Sequence, residues 1–408
     1  MSYLGQTRIE LADTPAIDAF SRLRVSQTAN LFDAQFTYDL SPLQFEQITA
    51  ETGATISHDA TNRMANLAFA STPTGGQSYM QSYEYVPYQP GRSQLVFVTF
   101  NMQAGVANVL KFAGLSDGVD GVEYQLNGTT RQIALLSSTT AGNQTITQAN
   151  WNLDTLDGTG PSGVTLDDSK TQILVIDFQA LYVGRVRVGF DINGLIYFAH
   201  EFNHANAFTH PYFSRATLPV RCGMTCTGTV TAAMNFICSA VASEGGLPEP
   251  LGRSFSYSAN VTAGNETATH ALSLRPKLLF NSITNRTLFQ LESISLLVRG
   301  NSPVKWQMAL GQAISGTTTF NDVNTIYSGF EYNTAGTISG SPALVFSEGF
   351  VGATNQQKGT ASKGVSQRYP VTLDQSGAHR AMGTMTVVVT GLGGASDVDV
   401  NLTWREVR

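Results

Sequence analysis

An all-β sandwich protein is what this sequence predicts, on three observations. Runs rich in Val, Ile and Phe recur along the chain, as in QLVFVTFNM (94–102) and QILVIDFQALYV (172–183). The stretch GRVRVGFDINGLIYFAHEF (184–202) alternates strictly at first, with Val186, Val188, Phe190 and Ile192 on one face and Arg187, Gly189 and Asp191 on the other. Its Asn193-Gly194 pair is the favoured dipeptide of a two-residue hairpin turn. Gly- and Asp-rich turn signals fill the gaps, at SDGVDG (116–121), LNGT (126–129) and LDGTGPSG (156–163). Many short strands with such turns stack as two sheets.

The elements follow in order. Residues 1–40 read as an extended N-terminal arm, because DTPAIDAFSRLRVSQTANLFDAQF mixes single apolar residues with charges and sustains no period. Residues 41–245 read as the larger β-sandwich. SEGGLPEPLGRSF (243–255) holds three Gly and two Pro, and marks a linker over 246–275. Residues 276–408 read as a smaller C-terminal β-domain, with two strands in FQLESISLLVRGNSPVKWQMAL and a closing pair in GTMTVVVTGLGGASDVDVNLTWREV. At 408 residues the chain is long enough for two such domains.

Composition narrows the function. Charged residues are 13% of the chain, about half the usual share, with a formal net charge of -6. Sparse charge suits a protein with much surface in subunit contacts. No block of Lys or Arg suggests a nucleic-acid footprint. No apolar run approaches the roughly 18–20 residues of a membrane span. The start lacks a basic region followed by an apolar run, which argues against a signal peptide. N-x-[ST] triplets such as Asn127 and Asn265 then read as ordinary Thr-rich sequence. Cys222, Cys226 and Cys238 make no disulfide framework and read as free thiols. No phosphate loop, dinucleotide fingerprint or G-x-S-x-G elbow occurs, so no cofactor is expected.

The sharpest chemical motif is HEFNH, with His200, Glu201 and His204, followed six residues on by His210. H-E-x-x-H binds zinc when a helix puts both histidines on one face, with the glutamate as base. The hairpin argues otherwise. With Asn193-Gly194 as the turn, His200 falls opposite Arg187 and His204 opposite Val183. On a strand, residues four apart lie about 13 Å apart, too far to share a metal. Ala207 stands where the longer motif has a turn-forming Gly, and Met224 follows His210 too closely for a Met-turn. The histidines are expected as strand-end residues, and a zinc hydrolase is the weakest reading.

Two further clusters stand out. Asp154, Asp157, Asp167 and Asp168 crowd LDTLDGTGPSGVTLDD, but without the alternating ligands and glycine of a calcium loop. Tyr83, Tyr85 and Tyr88 in QSYMQSYEYVPYQPGRS could form a surface that binds sugar or protein, or could fill the outer layer of the sandwich.

The segment AIDAFSRLRVS (16–26), followed by LFD (31–33), resembles an N-terminal signature of tailed-bacteriophage virion structural proteins, whose usual form is close to D-A-F-G-R-L-R-V-S. This chain has Ser21 where Gly is commoner. VGRVRVGF (183–190), HEFNHAN (200–206), LPVR (218–221) and ICSAVASEGG (237–246) look like matching blocks of the same family. The resemblance covers residues 16–250 and implies a non-enzymatic virion component of the tail, neck or capsid surface. It implies a lectin-like, jelly-roll type sandwich, assembly in the bacterial host cytoplasm, and a homo-oligomer, with trimers favoured. The partners expected are other virion proteins. The alternative is a carbohydrate-binding receptor protein that meets a host-surface glycan. Asp18, Arg22 and Arg24 as polar anchors, with Phe20, Leu23, Val25 and Phe32 as apolar knobs, are expected to dock the arm onto a neighbouring protein.

Overall fold

The computed structural model of the chain describes residues 16–25, 28–215, 217–245, 252–317, 319–353 and 359–408. It divides into two compact units, one of Met1–Ser82 with Val86–Leu247, the other of Tyr83–Tyr85 with Pro248–Arg408. Both are all-β, as the sequence predicts. Among the described residues no helix is long and apolar enough to cross a membrane.

The first unit holds Thr28–Gln35 (β1), Phe45–Ala50 (β2), Ala54–Asp59 (β3), Met64–Thr72 (β4), Gln77–Ser82 (β5), Ser93–Asn101 (β6), Val109–Ser116 (β7), Gly121–Asn127 (β8), Thr130–Leu136 (β9), Gln144–Thr147 (β10), Gln172–Gln179 (β11), Val186–Ile192 (β12), Leu195–Phe202 (β13), Val220–Cys226 (β14) and Val230–Glu244 (β15). One sheet runs β13-β12-β11-β6-β15-β4-β3, with β1 also on β15; the other runs β10-β9-β8-β7-β14-β5-β2. The chain crosses repeatedly between the sheets, and every pairing is antiparallel, as in a jelly-roll type sandwich. Inward residues of the two sheets share one core, in which Tyr124 of β8 stacks on Phe100 of β6 at 6.0 Å and meets Phe190 of β12 edge-on at 5.1 Å.

The second unit holds Arg253–Ala263 (β16), Thr269–Pro276 (β17), Leu279–Phe280 (β18), Ile283–Thr284 (β19), Leu288–Val298 (β20), Val304–Leu310 (β21), Ile314–Gly316 (β22), Asn321–Asp322 (β23), Phe330–Asn333 (β24), Gly336–Ile338 (β25), Leu344–Val351 (β26), Gly359–Arg368 (β27), Met385–Gly391 (β28) and Ser396–Val407 (β29). A sheet in the order β16-β29-β20-β27 faces one in the order β23-β24-β17-β28-β21-β26. Leu291, Ile294, Val400 and Leu402 of the first pack with Leu272, Met308, Val387 and Val389 of the second.

Two boundaries differ from the sequence reading. Residues 28–35 are not arm but strand: β1 pairs with β15 from Thr28↔Glu244 to Gln35↔Cys238. Its Leu31 and Phe32 are core, and Phe32 meets Phe45 edge-on at 5.9 Å. Residues 253–276 are not linker. RSFSYSANVTA alternates polar and apolar side chains, the period of a half-buried strand, and becomes β16; β17 follows. Residues 1–15, 26–27 and 246–251 of the expected arm and linker lie outside the described residues.

Candidate functional site

The segment 16–25 folds into a small closed loop. Asp18 organises it: Oδ1 accepts from the backbone N–H groups of Phe20 and Arg22, both at 2.9 Å, and Oδ2 accepts from Arg22 Nε at 2.8 Å. Ile17 bridges to Leu23, and Arg24 N–H donates to Ala16 O at 2.9 Å. Ser21, at the tip, has φ of +61°, a left-handed conformation that costs a side-chain-bearing residue and suits glycine. That is the position where the signature prefers Gly.

The loop is clasped to the sheet by buried ions. Arg24 donates to Glu244 Oε1 at 2.5 Å, to Asp177 Oδ2 at 2.6 Å and to Ile17 O at 3.1 Å. Arg187 donates to the same Asp177 oxygen at 2.5 Å and to Ile17 O at 2.9 Å. Ser93 Oγ donates to Asp177 Oδ1 at 2.8 Å, and Ala19 N–H donates to Ser93 Oγ at 3.3 Å. Asp177 and Arg187 are directly opposite in the β11–β12 ladder, and at most 1% of either is exposed. Two arginines around one carboxylate, with a hydroxyl on its other oxygen, satisfy a charge that would otherwise be costly to bury. Burial raises the Glu244 carboxyl above its ordinary value, with Arg24 opposing.

This placement corrects the docking expectation. Asp18 and Arg24 are taken up within the chain: they close and pin the loop on its own sandwich, where Arg24 supplies a cation to Asp177 and Glu244. Phe32 belongs to β1. Arg22 lies over the Phe20 ring at 4.8 Å and keeps a 53% exposed side chain. Leu23 and Val25 face outward, 53% and 85% exposed. The sequence carries a signal for this network: Asp177 is a lone acid inside an apolar run, one strand from an arginine.

The tyrosine cluster presents no open surface. Tyr85 and Tyr88 are buried. Tyr88 Oη accepts from Tyr182 N–H at 2.6 Å, and burial raises its pKa to about 12. Tyr83 and Tyr85 fall in the second unit, under the guanidinium groups of Arg380 and Arg286 at 3.3 Å and 4.4 Å from their ring centres.

The histidine motif is a strand end. Asn193 and Gly194 take φ of +58° and +82°, and Ile192 pairs with Leu195 as expected. A bulge at Ala199 then shifts the register by one, so His200 sits opposite Val188 and Glu201 opposite Arg187. His200 Nδ1 accepts from Asn152 N–H at 3.2 Å. His204 Nε2 meets Gln144 Nε2 at 2.8 Å, with its ring against Phe208 and Tyr212. Burial holds both imidazoles below their ordinary pKa. His210 is exposed and contacts Thr209. Among the described residues no group of three or more His, Cys, Asp or Glu is placed to hold a metal.

The aspartates of 153–168 serve the loop itself. Asp154 accepts from Leu156 and Ser162 N–H at 2.9 and 2.8 Å, while Asp168 accepts from Tyr124 Oη and Arg131 Nε, both at 2.6 Å. Between this loop and the β12–β13 hairpin lies a cleft of about 390 Å³ lined by Leu153, Asp154, Pro161, Ser162 and Ile196–Phe198. Cys222, Cys226 and Cys238 are free, and burial raises the Cys222 thiol well above its ordinary pKa.

No family model matches the chain, and no curated protein matches it. Some solved structures resemble part of the chain. A conserved carbohydrate esterase of the Shiga toxin-encoding bacteriophage phi24B shares 12% identity at a TM-score of 0.34, over 53% of this chain and 99% of that one. Winged bean acidic lectin shares 10% at 0.34, over 53% and 99%. Bacillus licheniformis beta-glucanase shares 12% at 0.32, over 53% and 99%. At identities and TM-scores this low, none of these likenesses bears on what this chain does.

Proposed function

We propose that the chain is a non-enzymatic structural subunit of a tailed-bacteriophage virion, docked onto a neighbouring virion protein through the clasped loop 16–25. One observation carries the reading. Three separate stretches that resemble the virion family, 16–26, 183–190 and 237–246, supply Arg24, Arg187 and Glu244, which converge with Asp177 in one buried ion network. Residue types that look unrelated along the sequence have a single job in space: to hold the loop rigid. A rigid loop presents Leu23 and Val25 to a partner with little ordering cost on binding. Those two residues, with Phe20 and Arg22, are the docking set.

The test is the double substitution Leu23→Asp with Val25→Asp. Both positions are exposed, so the purified subunit should keep its melting temperature. Phage grown with only this variant should assemble particles that lack the subunit. Normal incorporation would sink the proposal. Applying both preparations to a glycan array adds the competing outcome: dose-dependent binding by wild type and variant alike would favour a carbohydrate-binding receptor protein, with the cleft beside Tyr197 and Phe198 as its site. Deleting residues 1–33 would be a poor substitute, since it removes most of β1 and hence part of the core.

A further inference from the structure

Among the described residues the second unit has an unguarded edge. β16 ends its sheet, and among the described residues β29 is its one ladder partner. The two strands stay in register over all eleven residues of β16, from Arg253↔Glu406 to Ala263↔Ser396, with no bulge. Between Ser254 and Ala263 there is no charge and no proline. A long, straight, uncharged edge is a template for another strand, and soluble proteins normally blunt such edges.

Several other edges are blunted. β13 is bulged at Ala199, whose carbonyl accepts from Leu153 and Asp154 N–H at 3.1 and 3.0 Å. Asn152 covers the next stretch, accepting from Glu201 N–H at 2.9 Å and donating to Glu201 O at 3.0 Å. β26 carries Glu348 and an irregular register, and β27 carries Lys363 and Arg368. β10 has four residues, and β3 ends on His58 and Asp59.

We propose that two copies of this chain join through β16, antiparallel about a two-fold axis at Ser258. The strand's own sequence argues for a second copy as the occupant. Opposed residues must share a face, so the register has to match even positions with even ones. Centred on Ser258, it sets Ser256 opposite the partner's Asn260 and Ser254 opposite the partner's Thr262 on the exposed face. On the inner face it sets Phe255 opposite the partner's Val261 and Tyr257 opposite the partner's Ala259. Hydroxyl and amide pairs on one side with aromatic–aliphatic pairs on the other are favourable cross-strand combinations. With no charge in the paired stretch, nothing repels. Phe255 and Tyr257 are half-buried, the first against Trp404 at 6.4 Å and the second on Tyr332 at 3.8 Å, so pairing would extend an apolar layer already begun. Two four-stranded sheets would become one continuous sheet across an isologous interface. The inference rests on this edge alone and does not depend on the virion reading.

Analytical ultracentrifugation of the full chain tests it, with two variants at an exposed position. Wild type should sediment as a dimer or a multiple of one. Ser258→Lys places two ammonium groups face to face at the axis and should weaken association by about tenfold or more. Ser258→Cys brings two thiols within disulfide reach across the axis and should give a covalent dimer with oxidised glutathione, where wild type gives none. A monomer at every concentration, a trimer indifferent to Ser258→Lys, or a Ser258→Cys protein that forms no covalent dimer would each overturn the proposal.

Discussion

The two units handle charge in opposite ways. The first buries it: Lys111, Glu123, Asp154, Asp168, Asp177, Arg187 and Glu244 are all less than 10% exposed. The second keeps most of it outside, with Lys277 and Glu406 as its buried ions. Connectivity explains the contrast. The first unit has long irregular connections, such as 151–171 and 203–215, and the loop 16–25 to hold down. Several of its buried ions tie together segments that no ladder joins. Lys111 Nζ donates to Met102, Ala104 and Ala233 carbonyls, at 2.6, 2.8 and 2.8 Å. The second unit relies on long ladders, and most of its ion pairs are partly exposed. Buried charge here marks where the backbone needs a fastening, a role that hydrophobic contact fills with less directional control.

The largest test of that contrast is a matched pair of substitutions. Arg187→Met leaves Asp177 short of a buried partner and should cost about 3–5 kcal/mol in urea unfolding of the first unit. Arg299→Met removes a pair with Asp399 whose side chains are 50% and 40% exposed, and should cost below about 1 kcal/mol. Equal costs would break the comparison. A second test uses pH. Burial lowers the Lys111 pKa from 10.5 to about 8, with Asp168 opposing. The unfolded chain therefore binds a proton that the folded chain has released between these values. Folding stability should rise as pH climbs from about 8 to 10.5, by about 3 kcal/mol at most, relative to Lys111→Met. Parallel pH profiles for the two proteins would contradict this. The smallest effect concerns the loop tip. Ser21→Gly relieves a left-handed serine and should raise stability by about 0.5 kcal/mol, read as a slight upward shift in melting temperature. A loss of stability there would mean that the serine side chain, not the backbone, shapes the loop.

Local features were legible in the sequence and distant ones were not. The all-β class and the Asn193-Gly194 hairpin follow from short-range periodicity and turn chemistry. The bulge at Ala199 carries no compositional mark, so the histidine register came out one residue off. The Gly and Pro density of 243–255 masks the start of β16, although the strict alternation of SFSYSANVTA is itself a strand signal. The closure of loop 16–25 on its own sandwich is hidden for a different reason. Its anchoring pairs span 153 and 220 residues, and no window of sequence contains both members. The sequence leaves Tyr88 open between surface and sandwich layer, because the hydrogen bond from Tyr182 N–H that lets its phenol be buried joins residues 94 apart.

The reach of the Arg24–Glu244 contact also sets a clock on synthesis. Residue 24 leaves the ribosome first, and its carboxylate partner follows 220 residues later. At roughly 5–20 residues per second, that is an interval of about 10–40 s. Throughout it β1 lacks β15, and the apolar side chains of Leu31 and Phe32 have no finished core to enter. The first strand of this unit waits for its last, and the growing chain must stay out of trouble until β15 arrives.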